Sequence, residues 1–224
     1  MKIKNIEKIK PDIIYNLESL QFLKSLKPKS VDLIFSDLPY NTKKDYSVFQ
    51  SIIKKNYYAY MQELIIECKR VSRKGIAIFI NYENFNFFWK LLPDSHPIII
   101  PHNHKQFNKK SNLIISYNII LTNIKPINKI DNMWLKLDKN KTDPEKIKLL
   151  EDKFDYYAKT PLSLTAQFLS YFSKQNNIVL DPFMGIGTTA VAAKLLNRLF
   201  IGCELNKKRI EISYQRLDLI EKFK

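Results

Sequence analysis

Glycine occurs only four times in 224 residues, and two of the four stand in the run Asp181-Pro-Phe-Met-Gly-Ile-Gly-Thr-Thr189. The run follows the apolar stretch Ile178-Val-Leu180 and leads into a segment with helical spacing, Thr188 to Asn197. A strand, a tight glycine turn and a helix in succession make the opening of a parallel α/β unit. The glycines let the backbone turn sharply and approach a ligand without Cβ hindrance. A chain this poor in glycine that places Gly185 and Gly187 in one turn points there to a backbone-built ligand site.

The chemistry around the turn narrows the ligand. Asp181, at the carboxyl end of the strand, suits a cationic ammonium, whereas a phosphate site would present Lys or Arg. The next strand, Leu199 to Cys203, ends at Glu204, 23 residues after Asp181. That is about where a Rossmann-like unit carries its ribose-binding carboxylate. A lone G-x-G with a nearby Glu is an ordinary turn. The longer run, with its strand, helix and downstream acid, reads as an adenosine site.

Short apolar runs rich in β-branched and aromatic residues alternate with helix-like segments along the chain, which predicts an α/β fold on a largely parallel sheet. The clearest strands are Val31 to Ser36, Gly75 to Asn81, Asn177 to Asp181 and Arg198 to Cys203; Leu113 to Ile124 is a further strand or two short ones. Helices are expected at Tyr58 to Val71, Pro161 to Ser173, Thr188 to Asn197 and Lys207 to Phe223. The stretch Lys125 to Lys159, crowded with Lys, Asn and Asp and punctuated by Pro126 and Pro144, reads as an irregular insertion that contacts a large substrate. The chain is otherwise expected to be a single domain over residues 1–224. Cys68 and Cys203, with no second Cys or His at ligand spacing, are expected to be core thiols, and no metal site is expected.

A second constellation lies at the end of the first strong strand. Val31-Asp-Leu-Ile-Phe-Ser36 runs into Asp37-Leu-Pro-Tyr40, followed by Asn41, Lys43 and Lys44. Exocyclic amines of adenine and cytosine are poor nucleophiles because the lone pair is delocalised into the ring. Hydrogen bonds from the amine to a carboxylate and a carbonyl favour a more pyramidal nitrogen, and Asp37 and the Leu38 carbonyl are the candidate acceptors. Pro39 stiffens the turn, and Tyr40 offers a face on which an extruded base can stack. Taken alone, this tetrapeptide also reads as a strand-terminal turn; its pairing with the glycine loop favours the catalytic reading.

Together the two constellations resemble the beta class of DNA amino-methyltransferases, in which an Asp-Pro-Pro-Tyr motif precedes an Asp-Pro-Phe-x-Gly-Ser-Gly-Thr motif. The resemblance runs from about Ser30 to Leu217. It implies a Rossmann-like methyltransferase fold, a mostly parallel seven-stranded sheet with helices on both faces and a circularly permuted motif order. It also implies S-adenosylmethionine as cofactor and a flipped adenine or cytosine as substrate. By resemblance Asp37, Leu38, Pro39 and Tyr40 take the catalytic places, and Asp181, Phe183, Gly185, Gly187, Thr188 and Glu204 the cofactor places. Three positions depart from the pattern. Leu38 replaces the first proline. Ile186 replaces a small polar residue. In Ala158-Lys-Thr-Pro-Leu-Ser163, similar to the family's His-Pro-Thr-Gln-Lys-Pro-Leu, Thr160 stands where lysine is usual. That segment lines the methionine end of the cofactor in the family, so Thr160 and Pro161 are also expected at the cofactor.

With its acidic Asp37 the tetrapeptide resembles adenine-specific members more than those with a Ser-Pro-Pro-Tyr motif, which implies adenine N6 with cytosine N4 as the alternative, and the lack of a Pro-Cys motif argues against cytosine C5 chemistry. There are 37 Lys+Arg against 22 Asp+Glu, a formal charge of +15. This excess suits double-stranded DNA as partner, although Lys and Asn enrichment also follows from an AT-rich genome. Lys43, Lys44, His104, Lys105, Lys109 and Lys110 are the candidate phosphate contacts, with His102 and Phe107 beside them. No membrane partner is expected, the location expected is cytoplasmic and nucleoid-associated, and a homodimer or a restriction-system partner is a further expectation. The rival readings are a non-catalytic DNA-binding protein of the same fold, and an RNA or protein methyltransferase.

Overall fold

The computed structural model describes residues 10–39, 56–108, 113–127 and 160–222, with the side chains of 101–118 left out of the description. Seven strands form one sheet: β1 (Ile13–Tyr15), β2 (Leu33–Asp37), β3 (Ile76–Ile80), β4 (His96–Asn108), β5 (Leu113–Thr122), β6 (Ile178–Asp181) and β7 (Leu199–Cys203). Their order across the sheet is β1-β7-β6-β2-β3-β5-β4. The first five in that order pair in parallel, while β5 is antiparallel to both β3 and β4.

The parallel strands are short apolar runs because both faces are covered. In β2, Leu33 and Phe35 face one cluster and Ile34 the other, as the two-residue side-chain period requires. On the first face lie α4 (Leu162–Phe172), α5 (Thr188–Leu195) and α6 (Lys207–Glu221). On the second lie α1 (Ser19–Ser25), α2 (Tyr57–Val71) and α3 (Phe85–Leu91). The expected doubly covered, mostly parallel seven-stranded sheet is therefore present. Cys68 and Cys203 are buried free thiols, and burial pushes both above the usual thiol range.

Leu113 to Thr122 is one strand, pairing with β3 on one side and β4 on the other. The structure adds β1, α1, α3 and β4, which the sequence pattern did not announce. His102, His104, Lys105 and Phe107 lie on β4, an edge strand whose register against β5 shifts between Pro101 and Gln106. Lys109, Lys110, Tyr40, Lys43 and Lys44 lie outside the described residues, as does the expected insertion beyond residue 127. Among the described residues no helix is long and apolar enough to cross a membrane.

Candidate active site

The chain leaves β6 toward β7 on one side of the sheet and leaves β2 toward β3 on the other, so the β6/β2 boundary is a topological switch point. In open α/β sheets loops diverge at such a point, and ligands bind in the crevice at the carboxyl ends of the strands. Asp181 ends β6 and Asp37 ends β2. The two constellations, more than 140 positions apart in the chain, thus meet on adjacent strands. They are joined by a hydrogen bond in which Ser36 Oγ donates to Asp181 Oδ1 at 2.7 Å.

Asp181 organises the glycine loop. Its Oδ1 also accepts from the Phe183 N–H at 2.9 Å, and its Oδ2 from Thr189 Oγ1 at 2.6 Å, so both ends of the loop are tied to one carboxylate. That carboxylate is only 3% exposed. Burial pushes its pKa up to about 6, and the charge of Asp37 adds to the rise, while the Ser36, Thr189 and Phe183 hydrogen bonds oppose it.

Gly185 and Gly187 serve different ends. Both have left-handed backbones, at φ +55° and +80°. A Cβ on Gly185 would meet nothing closer than the Phe183 carbonyl oxygen at 3.9 Å, so the loop faces open space there. A Cβ on Gly187 would come within 2.7 Å of the Ser213 Cβ, so this glycine permits α6 to approach the loop. Gly187 also occupies the N-cap of α5 and offers no side-chain cap. Ile186 is buried, which keeps its branched side chain out of the space in front of Gly185.

Two further groups fix the loop. Glu204 Oε2 accepts from the Gly185 N–H at 3.0 Å and Oε1 from the Asn206 N–H at 2.8 Å. Burial raises the Glu204 pKa, and these backbone donors and Arg209 oppose the rise. From α6, the fully buried Arg216 donates through Nη1 to the Ile186 carbonyl at 2.8 Å and to Thr188 Oγ1 at 3.1 Å. An arginine within an amphipathic helix pattern reads as a solvated charge, so nothing local in the sequence marked it.

On the β2 side, the Leu38 side chain is 2% exposed and belongs to the core cluster of α1 and α2. The Pro39 carbonyl accepts from Tyr57 Oη at 3.1 Å. Burial pushes the Tyr57 hydroxyl above the usual phenol range, so it remains a neutral donor. Thr160 Oγ1 donates to Asp37 Oδ2 at 2.8 Å. Thr160 thus touches the carboxylate at the end of β2, from its place just before Pro161 at the N-cap of α4. Asn16, just after β1, donates through Nδ2 to the Glu204 and Leu205 carbonyls, each at 2.9 Å, and so ties a third strand end to the crevice. Ser36, Tyr57, Asn16 and Arg216 were missed in the sequence because each acts on a residue far away in the chain.

A family model described as DNA methylase matches residues 31–129 and 93–215. Among curated proteins, the DNA adenine methyltransferase YhdJ of Escherichia coli (strain K12) is 26% identical, over 90% of this chain and 81% of that protein. The type II methyltransferase M.HpaI of Haemophilus parainfluenzae is also 26% identical, over 89% of this chain and 72% of that protein. Among solved structures, the M1.HpyAVI–SAM complex superposes with a TM-score of 0.63 at 24% identity, covering 92% of this chain and 98% of that one. The PvuII cytosine-N4-specific DNA methyltransferase superposes with a TM-score of 0.61 at 16% identity, covering 91% and 85%. The chain belongs to the DNA methylase family, the S-adenosylmethionine-dependent amino-methyltransferases of the beta class.

Proposed function

We propose that the chain methylates adenine at N6 in double-stranded DNA, acting on a base extruded from the helix. The observation that carries the reading is the meeting of Asp37 and Asp181 at neighbouring strand ends, joined through Ser36 at 2.7 Å. It sets an acceptor for an amine beside a loop built for close backbone approach, which is the proximity a two-substrate transfer needs.

Asp37 and the Leu38 carbonyl accept the N–H groups of the target amine and favour a nitrogen lone pair directed out of the ring plane. Pro39, held at its carbonyl by Tyr57, stiffens the turn, and Tyr40 supplies the stacking face. S-adenosylmethionine, when bound, supplies an electrophilic sulfonium methyl group. The residues fit it: the open space before Gly185 admits a ligand against the backbone, with Glu204 beside it for a ribose. Asp181, Phe183, Gly187 and Thr188 shape that wall, and Pro161 closes it from α4. The acidic first residue of the tetrapeptide, and the adenine specificity of the E. coli relative, favour adenine over cytosine.

Lys43, Lys44, His104, Lys105, Lys109 and Lys110 contact phosphates, and the insertion at 125–159 of a single methyltransferase domain approaches the target. The type II relatives point to a restriction nuclease as partner. The test is transfer of labelled methyl from S-adenosylmethionine to mixed-sequence duplex DNA, with nucleoside digestion and an Asp37→Ala control. N6-methyladenine that disappears in the control supports the reading. N4-methylcytosine replaces the base, and no transfer to DNA despite cofactor binding rejects the activity.

A further inference from the structure

We infer that Thr160 is a positioning residue for Asp37, holding the acceptor carboxylate in the orientation that the target amine requires. The inference rests on the amino-methyltransferase reading of the site and assigns to Thr160 a place on the acceptor side of it rather than along the cofactor.

The geometry is direct. Thr160 Oγ1 lies 2.8 Å from Asp37 Oδ2, across 123 positions of chain. A carboxylate at a strand end can rotate about its last bond, and a donor on one oxygen fixes the plane in which the remaining lone pairs point. Thr160 is itself anchored. The residue after it, Pro161, caps α4, where its carbonyl accepts from both the N–H and Oγ1 of Thr165 at 3.1 Å. Behind that cap α4 is almost wholly buried, from Leu162 through Phe172. The hydroxyl is therefore presented from a packed helix start. Pro161 also fixes its own φ and restricts the backbone of the residue before it, which limits the positions Thr160 can adopt.

Each of the two site carboxylates thus receives hydroxyl donors from neighbouring elements: Asp181 from Ser36 and Thr189, Asp37 from Thr160. A threonine is suited to this task. Its branched Cβ leaves few rotamers, and its hydroxyl sits close to the backbone that anchors it.

The experiment compares Thr160→Val, which keeps the shape and removes the hydroxyl, with Thr160→Ser, which keeps the hydroxyl. Thr160→Ala serves as a second hydroxyl-less variant should the valine disturb folding. Single-turnover methyl transfer to mixed-sequence duplex DNA at saturating S-adenosylmethionine gives the rate, and titration calorimetry the cofactor Kd. The expected result is a rate about tenfold or more lower in the valine and alanine variants, the scale of loss for a misplaced reacting group. The cofactor Kd should stay within about twofold, a difference well under 1 kcal/mol, and serine should restore most of the rate. An unchanged rate in the hydroxyl-less variants overturns the inference. So does a loss that appears only as weaker cofactor binding, or a serine variant as slow as the valine. A wild-type chain that transfers no methyl to either base overturns the function itself, whereas an active wild type with unaffected variants overturns the role of Thr160 alone.

Discussion

Ser36 and Asp181 face each other across the β2/β6 boundary, with the serine hydroxyl 2.7 Å from the carboxylate it serves. Ser36 is fully buried and immediately precedes Asp37, so one hydrogen bond ties the end of β2 to the glycine loop. Parallel strands hold their register through the backbone ladder. What the ladder does not fix is where a terminal side chain points, and this bond, with those from Phe183 and Thr189, does so for Asp181.

Replacing Ser36 by Ala removes a donor to a buried anion. Hydrogen bonds to charged groups contribute roughly 1.5 to 3 kcal/mol, so a loss of that order is expected above neutral pH. Because the missing bond favoured the ionised carboxylate, the gap between the variant and wild type should widen as pH rises through about 6, where Asp181 ionises in the folded chain. Urea unfolding at pH 5 and pH 8 reads this directly, and an equal loss at both values would show that the bond does not discriminate between the two forms of Asp181.

Asp181→Asn tests the cost of the buried charge itself. The carboxyl titrates near 3.8 in the reference state and about 6 when folded. Between those values the folded chain binds more protons than the unfolded one, so the contribution of this group to stability falls as pH rises through the window and levels off above it. A difference of that size corresponds to roughly 3 kcal/mol. Asparagine carries no charge and preserves an acceptor for Ser36 and the Phe183 N–H, while the Thr189 hydroxyl can turn to accept. The stability of the variant relative to wild type should therefore improve between pH 4 and pH 7, by up to that amount, as cofactor affinity drops. A relative stability that is flat with pH would mean that the carboxyl does not titrate abnormally in the folded chain.

How much of this was legible in the sequence depended on whether a residue's partners lie near it in the chain. The strands β2, β3, β6 and β7 are continuous apolar runs and could be read locally, as could the turns that end β2 and β6. The edge strand β4 was hidden by Pro97 and Pro101, which an edge tolerates but a central strand does not. The helix α1 starts from Glu18, whose carboxylate accepts from the Leu20 and Gln21 N–H groups, and Glu is not a usual start signal. The helix α3 opens with Phe85-Asn-Phe-Phe-Trp, poor helix formers that are ordered here by packing against the sheet. In the site, Asp37, Gly185, Gly187 and Glu204 were visible as motif residues. The reason for Leu38 was not, because it depends on the core beneath the turn, and neither was the partner of Thr160.

The two loop glycines should separate under substitution. Gly185→Ala places a residue at φ +55° but adds no crowding, only an ordinary contact with the Phe183 carbonyl oxygen at 3.9 Å, so the folded state should lose about 1 to 2 kcal/mol from backbone strain. Its methyl projects into the open space, and S-adenosylmethionine affinity should fall far more than stability does. Gly187→Ala adds contact with Ser213 at 2.7 Å to an equally unfavourable backbone and should destabilise the chain further, with α6 forced away from the loop. Thermal melts and cofactor titrations on both variants check the contrast. Equal melting temperatures would contradict the assignment of Gly187 to packing.

Leu38→Ala distinguishes packing from chemistry in the turn that ends β2. The side chain is 2% exposed in the cluster of α1 and α2, so truncation should cost roughly 2 to 4 kcal/mol, in the range for buried leucines. The backbone carbonyl survives the change, and Tyr57 still holds the next one, at Pro39. If the carbonyl is what accepts the target amine, the transfer rate of the folded variant, measured well below its melting temperature, should stay within a few fold of wild type while the melting temperature drops. A rate that collapses in a variant still folded would place the leucine side chain itself in the catalytic geometry. The turn would then depend on the core cluster of α1 and α2 to aim the acceptor, as Asp37 is held from α4.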